Sequence, residues 1–80
     1  ILIQIYKKSI KMLAQNIRRL RLKKGLSQEK LARLADIANA TLVKIESGAA
    51  KEPTITTVAK IASALNVSID ELVGRIGKKG

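Results

Sequence analysis

The chain is 80 residues long, which allows one domain with a modest hydrophobic core, and 16 basic against 6 acidic residues give it a formal net charge of +10. So large a positive charge on a small domain favours polyanionic partners, because each lysine or arginine that neutralises a phosphate releases a condensed counterion. Cysteine and histidine are both absent, which excludes disulfides, thiol nucleophiles, imidazole catalysis and the usual zinc sites, and suits a reducing cytoplasm.

The first eleven residues are an extension whose structure the sequence leaves open. Apolar side chains recur there and beyond at alternating steps of three and four residues: Ile3, Tyr6, Ile10, Leu13, Ile17 and Leu20. This spacing would continue the first helix backwards, whereas the β-branched run ILIQI is also compatible with an edge strand, and disorder is the third alternative. Either ordered form would expose apolar surface and favour self-association. We divide the chain into the extension (1–11), a domain (12–74) and a basic tail (75–80).

The first two helices of the domain are marked by the residues at their ends. The first helix is predicted to stop at Lys23–Lys24, with Gly25 as the left-handed residue that terminates it. Ser27 is a good N-cap for the second helix. The second helix has an apolar face formed by Leu31, Ala32 and Ala35. Because Ala32 is small, another helix can approach this face closely.

A third, short helix is predicted over residues 39–47, after a tight break at residues 36–38. Asp36 occupies this turn, and aspartate tolerates a left-handed conformation better than most residues, so the turn can form with some strain. Ala38 stands at the N-cap position and has no side-chain oxygen with which to cap the helix. Gly48 is the expected left-handed residue after its end.

The third helix is expected to be buried on one face and exposed on the other. Leu42 and Ile45 face inward, whereas Val43 is compatible with either environment. The polar side chains left for solvent are those of Asn39, Thr41 and Lys44. Two short helices packed at a steep angle, with the second exposed, form a helix-turn-helix, whose second helix is shaped to enter a DNA major groove.

Two further helices complete the predicted domain. Thr54 caps the fourth helix and Asn66 is its left-handed terminator. The inner face of this helix is formed by Val58, Ile61, Ala62 and Leu65. Ser68 and Glu71 form a capping box for the fifth helix. The sequence therefore predicts an all-α fold with five helices.

Several separated segments resemble one family in the right order. Residues 25–48, G-L-S-Q-E-K-L-A-R-L-A-D-I-A-N-A-T-L-V-K-I-E-S-G, resemble the helix-turn-helix of the phage-repressor and Cro-like family, also called the xenobiotic-response-element (XRE) family of transcriptional regulators. Residues 18–28 are similar to the family's first helix and junction, and residues 53–72 to its fourth and fifth helices. The resemblance covers residues 13–74 and implies a compact five-helix, lambda-repressor-like DNA-binding domain.

The resemblance also assigns roles to individual residues. It implies contacts to base edges from the third helix, by Asn39, Ala40, Thr41 and Lys44. Asparagine can bond adenine, lysine can bond guanine, and threonine or alanine can touch a thymine methyl group. It implies phosphate contacts by Gln28, with help from Ser27, and by Lys51. Arg18 is a further candidate for a phosphate contact, with a solvated helix face as the alternative.

One pair of residues is given a structural role by the same resemblance. Arg21 and Glu46 match a family ion pair that ties the first helix to the end of the third. A carboxylate near a phosphate-facing surface is unfavourable, and an internal arginine would neutralise it. We therefore expect neither residue to read DNA.

The implied partner is double-stranded DNA, bound by two copies of the chain at a palindromic operator, because one recognition helix reads only a few base pairs. The family commonly dimerises around its fifth helix. The candidates for such an interface are the apolar residues Val67, Ile69, Val73 and Ile76, and a place in the monomer core is the alternative role for them. The expected function is a sequence-specific transcriptional regulator, a repressor. The alternatives are an antitoxin or other protein-interaction module of the same fold, whose protein partner the sequence does not name, and a non-specific DNA-binding protein.

Other classes of function fit the sequence poorly. Tyr6 is the single aromatic residue, which argues against recognition of single strands by base stacking. No apolar run approaches the roughly 18 to 20 residues that cross a bilayer, so no membrane association is expected. The six carboxylates are not arranged with a nucleophile or metal ligands. We expect a cytoplasmic protein that is not an enzyme and needs no cofactor or metal.

Overall fold

The computed structural model describes the backbone of residues 2–50 and 53–73, and the side chains of residues 12–50 and 53–73. These ranges contain five helices: α1 (Leu2–Lys23), α2 (Gln28–Ala35), α3 (Asn39–Glu46), α4 (Ile55–Leu65) and α5 (Ile69–Val73). The described backbone contains no strand. The predicted all-α, five-helix fold is therefore confirmed.

Helix α1 is much longer than the other helices because it begins at Leu2. Its 22 residues span about 33 Å at 1.5 Å per residue. The backbone of residues 2–11 is thus helical, the first of the three alternatives that the sequence left open. Among the described side chains, Leu13 is the first to be buried. The division of the chain at residue 11 stays a prediction.

The turn between α1 and α2 is closed by backbone hydrogen bonds around a left-handed glycine. Gly25 has a φ of 71°, and the Leu26 N–H donates to the Arg21 carbonyl over 3.0 Å. Ser27 then caps α2, because its Oγ accepts the Lys30 N–H at 3.0 Å. Both residues have the roles that the sequence predicted for them.

The break between α2 and α3 is left-handed at Asp36, whose φ is 58°. The Ile37 N–H donates to the Ala32 carbonyl over 3.0 Å and so closes the end of α2. Ala38 precedes α3 and makes no side-chain capping bond. The turn thus forms without the capping oxygen that would stabilise the start of α3 by typically ~1 kcal/mol.

The last two helices have side-chain caps. Thr54 Oγ1 accepts the Thr57 N–H at 3.2 Å, and left-handed Asn66 ends α4. Before α5, the Ser68 N–H donates to Glu71 Oε1 over 3.1 Å and the Glu71 N–H donates to Ser68 Oγ over 3.0 Å. This reciprocal pair is the predicted capping box.

The core is aliphatic and is shared by all five helices. Its buried members are Leu13, Ile17, Leu31, Ala32, Ala35, Leu42, Ile45, Val58, Ile61, Ala62, Leu65 and Leu72. Val67, Ile69 and Val73 are half-buried and pack against this core, so all three serve the monomer. Ile76, the fourth candidate for a dimer interface, lies outside the described residues.

Helix α5 is also held by a side chain that the sequence did not single out. Asn16 of α1 donates from Nδ2 to the Leu72 carbonyl over 2.9 Å and to the Glu71 carbonyl over 3.3 Å. These carbonyls lie at the end of α5 as it is described, Ile69–Val73, and the carbonyls at the end of a helix need hydrogen-bond donors from elsewhere. The first and last helices are therefore joined directly. In the described part of the chain, no helix is long and apolar enough to cross a membrane.

Candidate nucleic-acid interface

Helix α3 lies against the domain by one face and presents the other to solvent. Leu42 is fully buried and Ile45 is 4% exposed, and these two side chains anchor the helix in the core. The four residues that were matched to base contacts are all exposed: Asn39, Ala40, Thr41 and Lys44. The structure therefore brings them together on one accessible helix surface.

Val43, which the sequence left open, is on the exposed side of α3. Its exposed fraction is 39%, and it shares one helix face with Ala40, three residues earlier. Lys44 lies four residues after Ala40 and completes this face. The centre of the exposed surface of α3 is thus formed by the apolar side chains of Ala40 and Val43, with the cationic side chain of Lys44 beside them. The helical phase set by Leu42 and Ile45 is the sequence signal that places Val43 outside.

The start of α2 holds the two residues predicted to contact phosphate through a helix N-terminus. Ser27 is exposed, and its Oγ is used as the N-cap. Gln28 is half-buried, and its Nε2 donates to Glu46 Oε1 over 3.1 Å. The first N–H groups of a helix have no intrahelical acceptor and attract anions. The sequence did not predict that the Gln28 side chain would be bonded within the domain.

Arg21 and Glu46 form a buried ion pair between α1 and α3. Arg21 Nε donates to Glu46 Oε2 over 2.7 Å, and Arg21 Nη2 donates to Glu46 Oε1 over 3.1 Å. The two side chains are only 11% and 4% exposed. The remaining guanidinium nitrogen, Nη1, donates to the Leu26 carbonyl over 2.8 Å. The arginine therefore ties α3 both to α1 and to the turn before α2.

The carboxyl-terminal half of α1 and the residue after it carry an exposed basic strip, consisting of Arg18, Arg19, Lys23 and Lys24. Among the described side chains, the only ion pairs are Arg21–Glu46 and an exposed contact of 4.0 Å between Lys60 and Asp36. No described acidic side chain neutralises the strip. It lies at the end of α1 that Arg21 joins to α3, so its positive charges lie on the part of α1 that is tied to α3. Lys51, the other predicted phosphate contact, lies outside the described residues.

The described residues include no group of three or more acidic side chains that could hold a metal ion. The surface is instead built from polar, apolar and cationic side chains on a buried frame. Hydrogen-bond donors, methyl groups and positive charge are the features that base edges and phosphates recognise.

Comparison with known proteins agrees with this geometry. The family model HTH_3, Helix-turn-helix, matches residues 17–72. The chain belongs to this helix-turn-helix family. The resemblance drawn from the sequence is therefore confirmed, and the protein is placed among DNA-binding regulators of transcription.

Two relatives of this helix-turn-helix protein are named as HTH-type transcriptional regulators. The uncharacterized regulator y4dJ of Sinorhizobium fredii is 38% identical over 63 residues, which cover 79% of this chain and 80% of y4dJ. The uncharacterized SPbeta prophage-derived regulator YopO of Bacillus subtilis is 40% identical over 65 residues, which cover 81% of this chain and 91% of YopO.

A solved structure extends the similarity to three dimensions. The restriction-modification controller protein C.AhdI of Aeromonas hydrophila superimposes with a TM-score of 0.74 at 33% identity. The match covers 79% of this helix-turn-helix chain and 94% of C.AhdI. The similarity thus extends over nearly the whole of the controller protein.

Proposed function

We propose that this protein is a sequence-specific regulator of transcription, a repressor, that reads the major groove of double-stranded DNA with α3. The observation that carries this proposal is the exposed face of α3, on which Ala40, Val43 and Lys44 project from a helix anchored by buried Leu42 and Ile45. The major groove of B-DNA is about 12 Å wide and admits an α-helix that is held in this way by its buried face.

The side chains of this face suit distinct base edges. Lys44 can donate to O6 or N7 of guanine, and Asn39 can pair with N6 and N7 of adenine. Ala40, Thr41 and Val43 can pack their methyl groups against that of thymine. The proposed phosphate contacts are Ser27, Gln28, Lys51 and Arg18. Base contacts specify the site, whereas phosphate contacts set the orientation of the domain on the duplex.

Repression and dimerisation complete the proposal. Occupying a promoter needs only DNA binding, whereas activation needs a second productive surface, and this favours a repressor. One helix reads only a few base pairs, so a homodimer on a palindromic operator would supply the remaining affinity. Its half-sites would lie about 10 base pairs apart or a multiple of that distance.

Selection from a random pool of duplex DNA tests this proposal as a whole. We expect enrichment of a two-fold palindrome that contains guanine at the Lys44 position. Retention of duplex DNA without sequence enrichment would replace the proposal with a non-specific DNA-binding protein. Failure to retain duplex DNA, with a folded protein, would favour a protein-interaction module of the same fold.

Arg18→Ala is expected to weaken binding to all duplexes by similar factors. Because Arg18 is exposed on the basic strip, its loss should flatten the dependence of log K on log salt by about 0.9, the value for one phosphate contact. Fluorescence anisotropy across a salt series measures this slope. Lys60→Ala is the control. Lys60 lies on α4 and contacts Asp36 at the end of α2, so its loss removes one positive charge and should leave the slope unchanged. A slope equal to that of the wild type for Arg18→Ala would remove this residue from the interface.

Deletion of residues 1–11 is expected to leave a folded domain with the same base preference but weaker self-association. Among the described side chains, which start at Met12, the buried core begins at Leu13, whereas the apolar stripe in the sequence begins at Ile3. A second chain is the natural cover for such a stripe. Sedimentation velocity of both chains, at matched concentration and salt, measures the difference. Equal masses at micromolar concentration would contradict a role of the extension in self-association.

A further inference from the structure

The carboxylate of Glu46 accepts a hydrogen bond from Gln28 in addition to the two bonds of its ion pair with Arg21. Arg21 donates to both of its oxygens, over 2.7 Å and 3.1 Å, and this fork already neutralises the charge. Gln28 Nε2 adds a third bond to Oε1 over 3.1 Å. The Glu46 side chain is only 4% exposed, so this carboxylate is a fixed point within the domain.

The third bond joins the start of α2, which carries proposed phosphate contacts, to the end of α3, the proposed base-reading helix. Gln28 is the first residue of α2, and Glu46 is the last residue of α3. A glutamine amide nitrogen carries two hydrogens. Glu46 uses one of them, which leaves the second available to another acceptor. Gln28 is also the first residue of α2, where the backbone N–H groups of the first turn attract anions.

We propose that Glu46 is a positioning residue for the DNA backbone contact: it holds the Gln28 carboxamide so that its second amide hydrogen meets a phosphate together with the first N–H groups of α2. This inference rests on the proposed function. Arg21 acts with Glu46, because its positive charge offsets the repulsion between a carboxylate and a nearby phosphate. The same buried carboxylate thereby links the phosphate contact of α2 to the base-reading helix α3.

The Gln28–Glu46 hydrogen bond would increase the affinity for DNA because it already orders the Gln28 side chain in the free protein. An unrestrained glutamine side chain loses rotamer freedom when it binds, and a side chain already held by a hydrogen bond does not. Loss of the restraint is expected to weaken binding by roughly two- to tenfold, the cost of ordering one such side chain. Gln28 is uncharged, so the salt dependence of binding should not change with it.

A double-mutant cycle on the whole chain separates positioning from general damage to the fold. Glu46→Asp keeps the negative charge but withdraws the carboxylate by one methylene group from both Arg21 and Gln28, and the Gln28→Ala background isolates the part of the effect that acts through Gln28. Binding is measured to a mixed-sequence duplex of about 20 base pairs at low salt, where phosphate contacts dominate. We expect Glu46→Asp to weaken binding in the wild-type background and to have no effect in the Gln28→Ala background, with an unchanged salt slope in both.

Other outcomes of the cycle are equally informative. Equal losses from Glu46→Asp in both backgrounds, or a flattened salt slope, would overturn the inference and make Glu46 purely structural. If the wild-type chain did not bind the duplex at all, the proposed function itself would fail.

A second measurement needs no substitution and remains valid if Glu46→Asp unfolds. Proton–nitrogen NMR spectra of the wild-type chain follow the two Gln28 side-chain amide protons with and without the duplex. We expect one proton to keep its resonance, because it stays bonded to Glu46, while the other shifts on binding. Movement of both protons to new positions would show that Gln28 leaves Glu46 to reach the phosphate, and the inference would be wrong.

Discussion

Arg21→Ala is expected to lower the free energy of unfolding by about 3 to 5 kcal/mol, the usual cost of removing one partner of a buried ion pair. The Glu46 side chain, only 4% exposed in the intact pair, would lose the charge that neutralises it, and the Leu26 carbonyl would lose the donor that Arg21 supplies at 2.8 Å. Thermal and urea denaturation followed by circular dichroism measure the loss. For a domain of this size, it is a large part of the total stability.

Arg19→Ala is the matched control for this experiment. Arg19 lies on the same helix and carries the same charge, but its side chain is exposed. Exposed substitutions of this kind usually change stability by less than about 0.5 kcal/mol. If Arg21→Ala melted together with the wild type and Arg19→Ala, the ion pair would not contribute to folding.

Lys44→Ala is expected to weaken binding to the selected operator by about 1 to 3 kcal/mol while leaving the fold intact. Lys44 is exposed between the buried residues Leu42 and Ile45, so its removal creates no cavity. Titration of the operator by fluorescence anisotropy gives the change in affinity. Repeating the selection with the variant should show a relaxed preference at one base pair of each half-site.

A base contact and a phosphate contact respond differently when the sequence of the duplex is changed. Arg18→Ala should reduce affinity for every duplex alike, whereas Lys44→Ala should reduce it mainly for the operator. A folded Lys44→Ala protein with wild-type operator affinity would exclude a base contact by this residue. An equal loss on operator and unrelated duplexes would move Lys44 to the phosphate contacts.

The local features of the fold were predictable because they depend on neighbouring residues. Capping by Ser27 and the reciprocal pair of Ser68 and Glu71 bridge only three residues. The left-handed ends at Gly25 and Asn66 follow from the conformational freedom of glycine and the tolerance of asparagine. The inward faces of the helices follow from a period of 3.6 residues.

Two contacts that the sequence did not predict join residues far apart along the chain. Gln28 and Glu46 are 18 residues apart, and Asn16 and Leu72 are 56 apart. A polar side chain at such positions is equally compatible with solvent, so only the packed arrangement of helices selects its partner. The matched base contacts are exposed, as are Ser27 and Arg18, whereas Gln28 is half-buried. Exposure alone does not identify what these residues bind.

The hydrogen bonds from Asn16 to the last turn of α5 have a consequence for how the domain folds. The described part of α5 has five residues, and a segment of this length is far shorter than the roughly 12 to 15 residues that an isolated helix needs in water. It persists because Leu72 is buried and Asn16 caps its carbonyls. The last helix therefore forms only once the first is in place, and the loop that separates them must close before either gains this contact. The two ends of the domain fold and unfold as one cooperative unit.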